Sequence, residues 1–340
     1  MQTIKKITAI QLFILLFFLL GPTAPFAGDV SLKDKKVLVV MSYHPEYAWQ
    51  QEIRKGIKPV LSGARIKYFN MDTKRNLAGG PARAKEAFAL YQQFQPDVVI
   101  AADDNAQSMF VVPYLKDKVK TPVIFCGVNY DAATYGYPAT NVTGVIEKSH
   151  WMEGLNFLQT IVPEIQTISV LYDDTPSNRS NIARIKQEME EYPVRIVEFV
   201  TVNSMTELKK IIPALGKKAD AILMLALPGI RDINGKPLKE GSDAHPIASR
   251  LCNKPTLGGS MWHVKNGILC AVAKTGQEQG DLAARMAFDI LNGKSIQDTP
   301  ITWNKNGRRM INMTTARKLG IKLNPSVITA TEIVFSDQRR

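Results

Sequence analysis

The sequence predicts an α/β chain of two doubly wound, Rossmann-like domains with parallel sheets, and three observations carry that reading. Short, continuous apolar runs rich in β-branched residues recur along the chain, as strands buried on both faces require. Helix candidates with a single apolar stripe separate them. The alternation restarts after Ser149, giving two β/α series of similar length.

The first run is Val37-Leu38-Val39-Val40, followed by a helix candidate from Tyr47 to Leu61. Ile66-Lys67-Tyr68-Phe69 is the next strand. Pro81 then opens a helix that carries Ala84, Phe88 and Tyr91 on one stripe. Strand Val98-Val99-Ile100, a helix from about Asp104-Asn105, strand Val123 to Phe125 and a short strand from Val142 to Ile146 end the first half. In the second half Trp151, Leu155 and Leu158 mark a helix ending at Pro163, and Ile168 to Tyr172 is a strand. Pro176-Ser177 begins a helix with Ile182, Ile185 and Met189. Strand Val194 to Val200, helix Met205 to Leu215, strand Ala221 to Leu227, helix Ala244 to Cys252 and strand Ile268 to Val272 follow. A helix from about Gln277 to Asn292, closed by Gly293, is among the clearest.

The chain has 340 residues, 45% hydrophobic and 22% charged, which excludes disordered, collagen-like and coiled-coil classes. Its length suits about two domains, each able to bury a core. The first 27 residues read as a secretory signal peptide: Lys5-Lys6, an apolar run from Ile10 to Leu20, and small residues up to Ala27, after which cleavage is expected. That run is about 11 residues, short of the roughly 20 that span a bilayer. Without Lys5 and Lys6, 41 basic residues face 31 acidic ones, scattered in pairs and triplets at most. Such a spread marks a solvated surface and points to no nucleic-acid partner. Cys126, Cys252 and Cys270 are an odd count, so at least one thiol stays free, and an exported chain permits a Cys252–Cys270 bridge.

Catalytic motifs mostly fail on inspection. Gly293-Lys294-Ser295 ends like a phosphate loop, but Phe288 stands where glycine is required, and the stretch follows a helix. Gly258-Gly259-Ser260-Met261-Trp262 misses a nucleophile elbow because Trp262 takes the last glycine position. His44, His150, His245 and His263 show no metal-ligand spacing and are expected on loops or the surface. The expectation is therefore no catalysis, no cofactor and no metal.

In doubly wound sheets, ligands sit outside the carboxyl ends of the strands. The loops there carry Ser42 and Tyr43; Asp103, Asp104 and Asn105; Gly127 and Asn129; Glu147; and Asp173, Thr175, Ser177 and Asn178. Asp103-Asp104-Asn105 reads equally as a helix cap or as a partner for a ligand amine, with nearby helix N-termini suited to a ligand carboxylate. Tyr43, Tyr47, Trp49 and Trp262 are candidate aromatic walls.

Ser42-Tyr43-His44-Pro45, Met71-Asp72-Thr73-Lys74-Arg75, Asp103-Asp104-Asn105-Ala106, Phe125-Cys126-Gly127-Val128-Asn129 and Val142-Thr143-Gly144-Val145 with Glu147 occur in this order. Gly276 to Gly280, Ile290-Leu291-Asn292-Gly293-Lys294, Ile311-Asn312 and Ala316 to Ile321 continue it. Together they resemble the periplasmic substrate-binding proteins of ABC importers, with a type I periplasmic-binding-protein fold. The nearest likeness is to the branch found as sensor modules of bacterial signalling proteins. The chain departs from the amino-acid-binding branch in placing Asp103-Asp104-Asn105 where small residues usually follow the strand. The resemblance implies residues 28–141 plus about 275–297 in domain one, 142–274 in domain two, and 298–340 as a tail near the hinge and domain two. It implies a monomeric, periplasmic receptor that closes by a hinge around a small organic solute, an amino acid or a related compound. Its partner would be an ABC permease of the inner membrane. A soluble sensory subunit for a membrane signalling protein is the second reading, and a periplasmic enzyme with Asp103 or Glu147 as base the third.

Overall fold

A computed structural model describes residues 32–238 and 243–336; the leader and its expected cleavage after Ala27 lie outside the described residues. The chain starts with β1 (Lys36–Met41), α1 (Ala48–Val60), β2 (Arg65–Asn70), α2 (Gly80–Phe94) and β3 (Val98–Ala102). A helical turn, α3 (Asp104–Ala106), then widens into a π-helix over Gln107–Leu115, where Pro113 has no N–H to continue an α-helical ladder. Strands β4 (Val123–Val128) and β5 (Val142–Ile146) follow. Next come α4 (Trp151–Ile161), β6 (Thr167–Tyr172), α5 (Pro176–Glu188), β7 (Arg195–Thr201), α6 (Met205–Leu215) and β8 (Ala221–Met224). The series runs on through α7 (His245–Leu251), β9 (Thr256–Gly258), α8 (Met261–Lys265), β10 (Cys270–Ala273) and α9 (Gly276–Leu291). The tail adds β11 (Thr302–Trp303), β12 (Arg308–Asn312), α10 (Met313–Lys318), α11 (Pro325–Thr329) and β13 (Glu332–Val334).

The strands form two sheets, ordered β11-β5-β4-β3-β1-β2 and β13-β12-β10-β9-β8-β6-β7. The first is parallel throughout. In the second, β12 runs antiparallel to β10, a reversal the alternation did not predict. The fully buried β3 and β4 confirm the continuous apolar runs as central strands. The two-domain α/β fold is thus the one expected.

The boundary differs from the one the resemblance implied. Val142–Ile146 pairs with β4, in the first sheet, so the chain crosses after Ile146 and not before Val142. The tail is split as well: β11 pairs with β5 in the first sheet, while β12 and β13 lie in the second. Helix α9 returns to the first domain, where Ala283, Ala284 and Ala287 share a core with Ile53 and Ile57 of α1. Backbones meet closely there: a Cβ on Gly56 would lie 2.0 Å from the Gln277 carbonyl oxygen, and one on Gly280 2.1 Å from that of Ile53. Among the described residues three segments therefore cross between domains: 147–150, 274–275 and 304–307. Cys126, Cys252 and Cys270 are all free and buried, so Cys252 and Cys270 do not pair.

Candidate ligand-binding cleft

In each sheet the strand order reverses once, between β1 and β3 in the first and between β6 and β8 in the second. Loops leaving a reversal diverge and open a crevice at the strands' carboxyl ends. In the first domain Ser42, after β1, closes the base of this crevice. Its Oγ donates to the Ala102 carbonyl at 2.7 Å and accepts from the Ala106 N–H at 2.8 Å. Thr73 Oγ1 donates to the Ser42 carbonyl at 2.7 Å and accepts from Asn105 Nδ2 at 2.9 Å. Ser42 and Asn105 thus brace the loops.

Asp103 follows β3 with a positive φ of 69° and is 2% exposed. It does not cap the helix. Its Oδ1 accepts from Trp49 Nε1 at 2.8 Å and its Oδ2 from Gln50 Nε2, both on α1. Burial, and then the charge of Glu147, hold the Asp103 carboxyl well above the usual range, against the pull of these two donors. Asp104 accepts from the Asn129 N–H at 3.1 Å, the Tyr130 N–H at 3.4 Å and the Tyr135 hydroxyl at 2.8 Å. Gly127 has φ of 68°, and a Cβ there would come within 2.8 Å of Asp103 Oδ1. Only glycine fits both demands.

Glu147, at the first crossing, is 7% exposed and pairs with Lys274 Nζ of the second crossing at 2.5 Å. Asn129 joins both: its Nδ2 donates to Glu147 Oε2 at 3.3 Å, and its Oδ1 accepts from Lys274 at 3.4 Å. Burial raises the Glu147 carboxyl, with Lys274 opposing. The Tyr43 hydroxyl is also raised, first by burial and then by the charges of Asp103 and Asp104. Lys74 Nζ stands 5.1 Å from the centroids of both Tyr43 and Tyr47.

Two buried amides tie the crossings together. Gln279 Oε1 accepts from the Gly127 N–H at 2.8 Å, and its Nε2 donates to Asn304 Oδ1 at 3.0 Å. Asn304 bonds both the N–H and the carbonyl of Lys148, at 2.7 and 2.9 Å. The domains also touch where Ser180 Oγ donates to the Asn129 carbonyl at 3.5 Å.

In the second domain Asp173, after β6, is 1% exposed. It accepts from Asn178 Nδ2 at 2.6 Å, Thr175 Oγ1 at 2.9 Å and the Gly229 N–H at 2.5 Å. Thr175 and Asn178 therefore turn onto Asp173, while Ser177 is half-buried at the start of α5. Trp262, on α8, is 55% exposed. Correcting the expectation of surface histidines, His150, His245 and His263 are buried.

The structure thus gathers Tyr43, Asp103, Asp104, Gly127, Asn129 and Glu147 at one junction, and Asp173, Thr175 and Asn178 on the other domain. Sequence reasoning missed Gln50, Lys274, Gln279 and Asn304. Lys274 directly follows β10, so the strand-end rule applied to that strand would have found it. The two glutamines lie on helices and carry no such signal.

The profile of the ABC transporter substrate binding protein family matches residues 37–334. A tyrosine-binding protein from Clostridioides difficile is 23% identical over 189 residues, 54% of this chain and 51% of that protein. The chain thus spans about half the length of that relative. Among solved structures, the ligand-free, open form of a substrate-binding protein with adhesive properties from Clostridium difficile is similar at a TM-score of 0.70, with 18% identity, 89% of this chain covered and 100% of that one. The ABC domain in complex with L-Trp from Streptococcus pneumonia is similar at 0.58, with 21% identity and coverage of 88% and 99%. These structures share the fold.

Proposed function

Because the chain belongs to the ABC transporter substrate binding protein family, we propose that it captures a small organic solute bearing a protonated amine between its two domains and presents it to a membrane permease. The observation that carries this reading is the charge at the junction. Three carboxyl groups, Asp103, Asp104 and Glu147, lie within electrostatic reach of one another there, and Lys274 pairs with Glu147. Among the described residues Glu147 accepts from Lys274 and Asn129, while a carboxylate offers about four lone-pair sites. A ligand ammonium would complete its coordination. The Tyr43 and Tyr47 rings, edge to face at 5.4 Å with Lys74 Nζ 5.1 Å from both centroids, offer an aromatic surface.

An amino acid fits these groups, in keeping with the tyrosine and L-Trp named for two similar proteins. The reading places the mature chain in the periplasm with Gly28 at its N-terminus, and it involves no turnover. Among the described residues no helix is long and apolar enough to cross a membrane. Mass spectrometry of the compound released by denaturing natively purified protein tests the ligand class. The expected result is one amine-bearing small molecule, unaltered on recovery. An anionic compound without an amine would contradict the charge argument, and a product distinct from the compound supplied would move the protein to the enzymes.

A further inference from the structure

The second domain holds a buried cluster that the junction chemistry does not use. Past β8, the Leu225 carbonyl accepts from His245 Nε2 at 3.0 Å, while His245 Nδ1 meets Asp243 Oδ1 at 2.5 Å. The Asp243 carboxylate and the Leu225 carbonyl clamp the two ring nitrogens of His245 and fix the plane of the ring. His263, on the neighbouring α8, stacks on it with centroids 4.4 Å apart. The backbone N–H of Gly259 donates to His263 Nδ1 at 3.1 Å. A backbone N–H can only donate, so Nδ1 carries no proton and the proton of the neutral ring sits on Nε2. Nε2 has no hydrogen-bond partner among the described residues, and it is not sealed off from solvent. The loop from Gly258 to His263 leaves the carboxyl end of β9, in the middle of the second sheet and on the side where ligands bind.

We propose that His263 presents Nε2–H to the cleft as a fixed hydrogen-bond donor, so that the end of the ligand reaching the second domain carries an oxygen acceptor. This rests on the cleft reading above and extends it: the solute is dipolar, with its ammonium toward Glu147 and its acceptor toward His263. The charged groups around His263 agree with a neutral ring. Burial, the His245 charge and, further off, Lys274 hold it well below the usual histidine range, and Asp243 opposes them only in part. The Asp243–His245 pair is a positioning element, since it sets the protonation and plane of the ring stacked on it. The Asp243 carboxyl, which burial alone would raise, is brought down to about 2 by His245.

Nitrogen NMR of labelled full-length chain tests the donor without any ligand. Between pH 6 and 8, His263 is expected to be neutral with its proton on Nε2. An imidazolium, or a proton on Nδ1, would overturn the proposal. L-tyrosine and L-tryptophan then serve as probes for wild type, His263→Gln and His263→Asn. Glutamine keeps a donor near the Nε2 position, whereas asparagine keeps an acceptor for Gly259 and loses the donor. The expected outcome is affinity within a few-fold of wild type for His263→Gln and a loss of about ten- to a hundredfold for His263→Asn, the scale of a hydrogen bond to a charged group. Equal effects of both variants, with melting temperatures unchanged, would overturn it. Failure of both probes to bind wild type would count against the amino-acid reading, and the NMR result would still decide the tautomer.

Discussion

At the strand-order reversal of the first domain stands Asp103, with Asp104 and Glu147 close by; at the reversal of the second stands Asp173. Each carboxylate lies at a switch point, Asp103 after β3 and Asp173 after β6, and they differ in surroundings. Asp173 is ringed by neutral donors, the Thr175 hydroxyl, the Asn178 amide and the Gly229 N–H. The acid next to it in sequence, Asp174, is paired with Arg179 at 2.8 Å. Asp103 also has neutral donors, Trp49 and Gln50, but it lies within reach of a second buried carboxylate, Glu147. One wall therefore gathers buried carboxyl groups beside a single ion pair, and the other fixed dipoles. The lesson is that a switch point fixes where loops diverge and leaves their charge free to vary, so polarity within the cleft is set by loops.

Breaking the junction ion pair should have the largest effect. Lys274→Met leaves Glu147 buried without its cation, and removing one partner of a buried pair costs about 3–5 kcal/mol. Thermal melts should fall by roughly 10 °C at about 2–4 °C per kcal/mol. Adding Glu147→Gln should recover most of that. A loss no greater than about 1 kcal/mol, the value of an exposed pair, would show that the junction is open to water.

Glycine replacements compare the two walls directly. Gly127→Ala forces a left-handed backbone and a clash with Asp103, so a loss of about 1–3 kcal/mol is expected. At Gly229, whose φ lies outside the left-handed region, the nearest atom to a Cβ is Thr175 Cγ2 at 3.0 Å, and Asp173 Oδ2 lies at 3.1 Å. Alanine there should cost less in urea unfolding. The reverse order would mean that the strain at Asp103 is not shared with its neighbour.

Smallest is the pH signature of Asp103. Its carboxyl titrates higher in the folded protein than in the unfolded chain, at about 3.9. The folded state therefore binds the proton more tightly, and stability falls as pH rises from about 4 through the folded value. Asp103→Asn removes that slope. Urea midpoints should show the variant gaining on wild type as pH increases. A wild type that gains on Asp103→Asn instead would reverse the sign of the argument.

Much of the fold was legible because burial on both faces writes strands as unbroken apolar runs, such as Val98-Val99-Ile100 and Val123 to Phe125, which the structure extends to Ala102 and Val128. The same pattern ended the first half at Ile146, and the structure agrees with that over the boundary implied by resemblance. The two-residue strand Thr302–Trp303 and the antiparallel Arg308–Asn312 were not legible. The first is too short to show a period, and the second begins with exposed arginines. For the site, strand-end loops pointed to Asp103, Glu147 and Asp173, but not to what holds them. Gln50 sits on a helix 53 residues from Asp103, and Gln279 lies 152 residues from Gly127. Such pairings are made by the tertiary fold and leave no local trace. The histidines were misjudged for the same reason: stacking of His245 on His263 has no signature in spacing.

The central claim is that both walls grip one solute, and small-angle scattering tests it most directly. A ligand touching both domains binds the closed form better and shifts the population toward it. Protein stripped of its native compound and then saturated with it should show a smaller radius of gyration, with the compound recovered unchanged. Saturable binding that leaves the scattering curve untouched would contradict closure of the cleft around the solute.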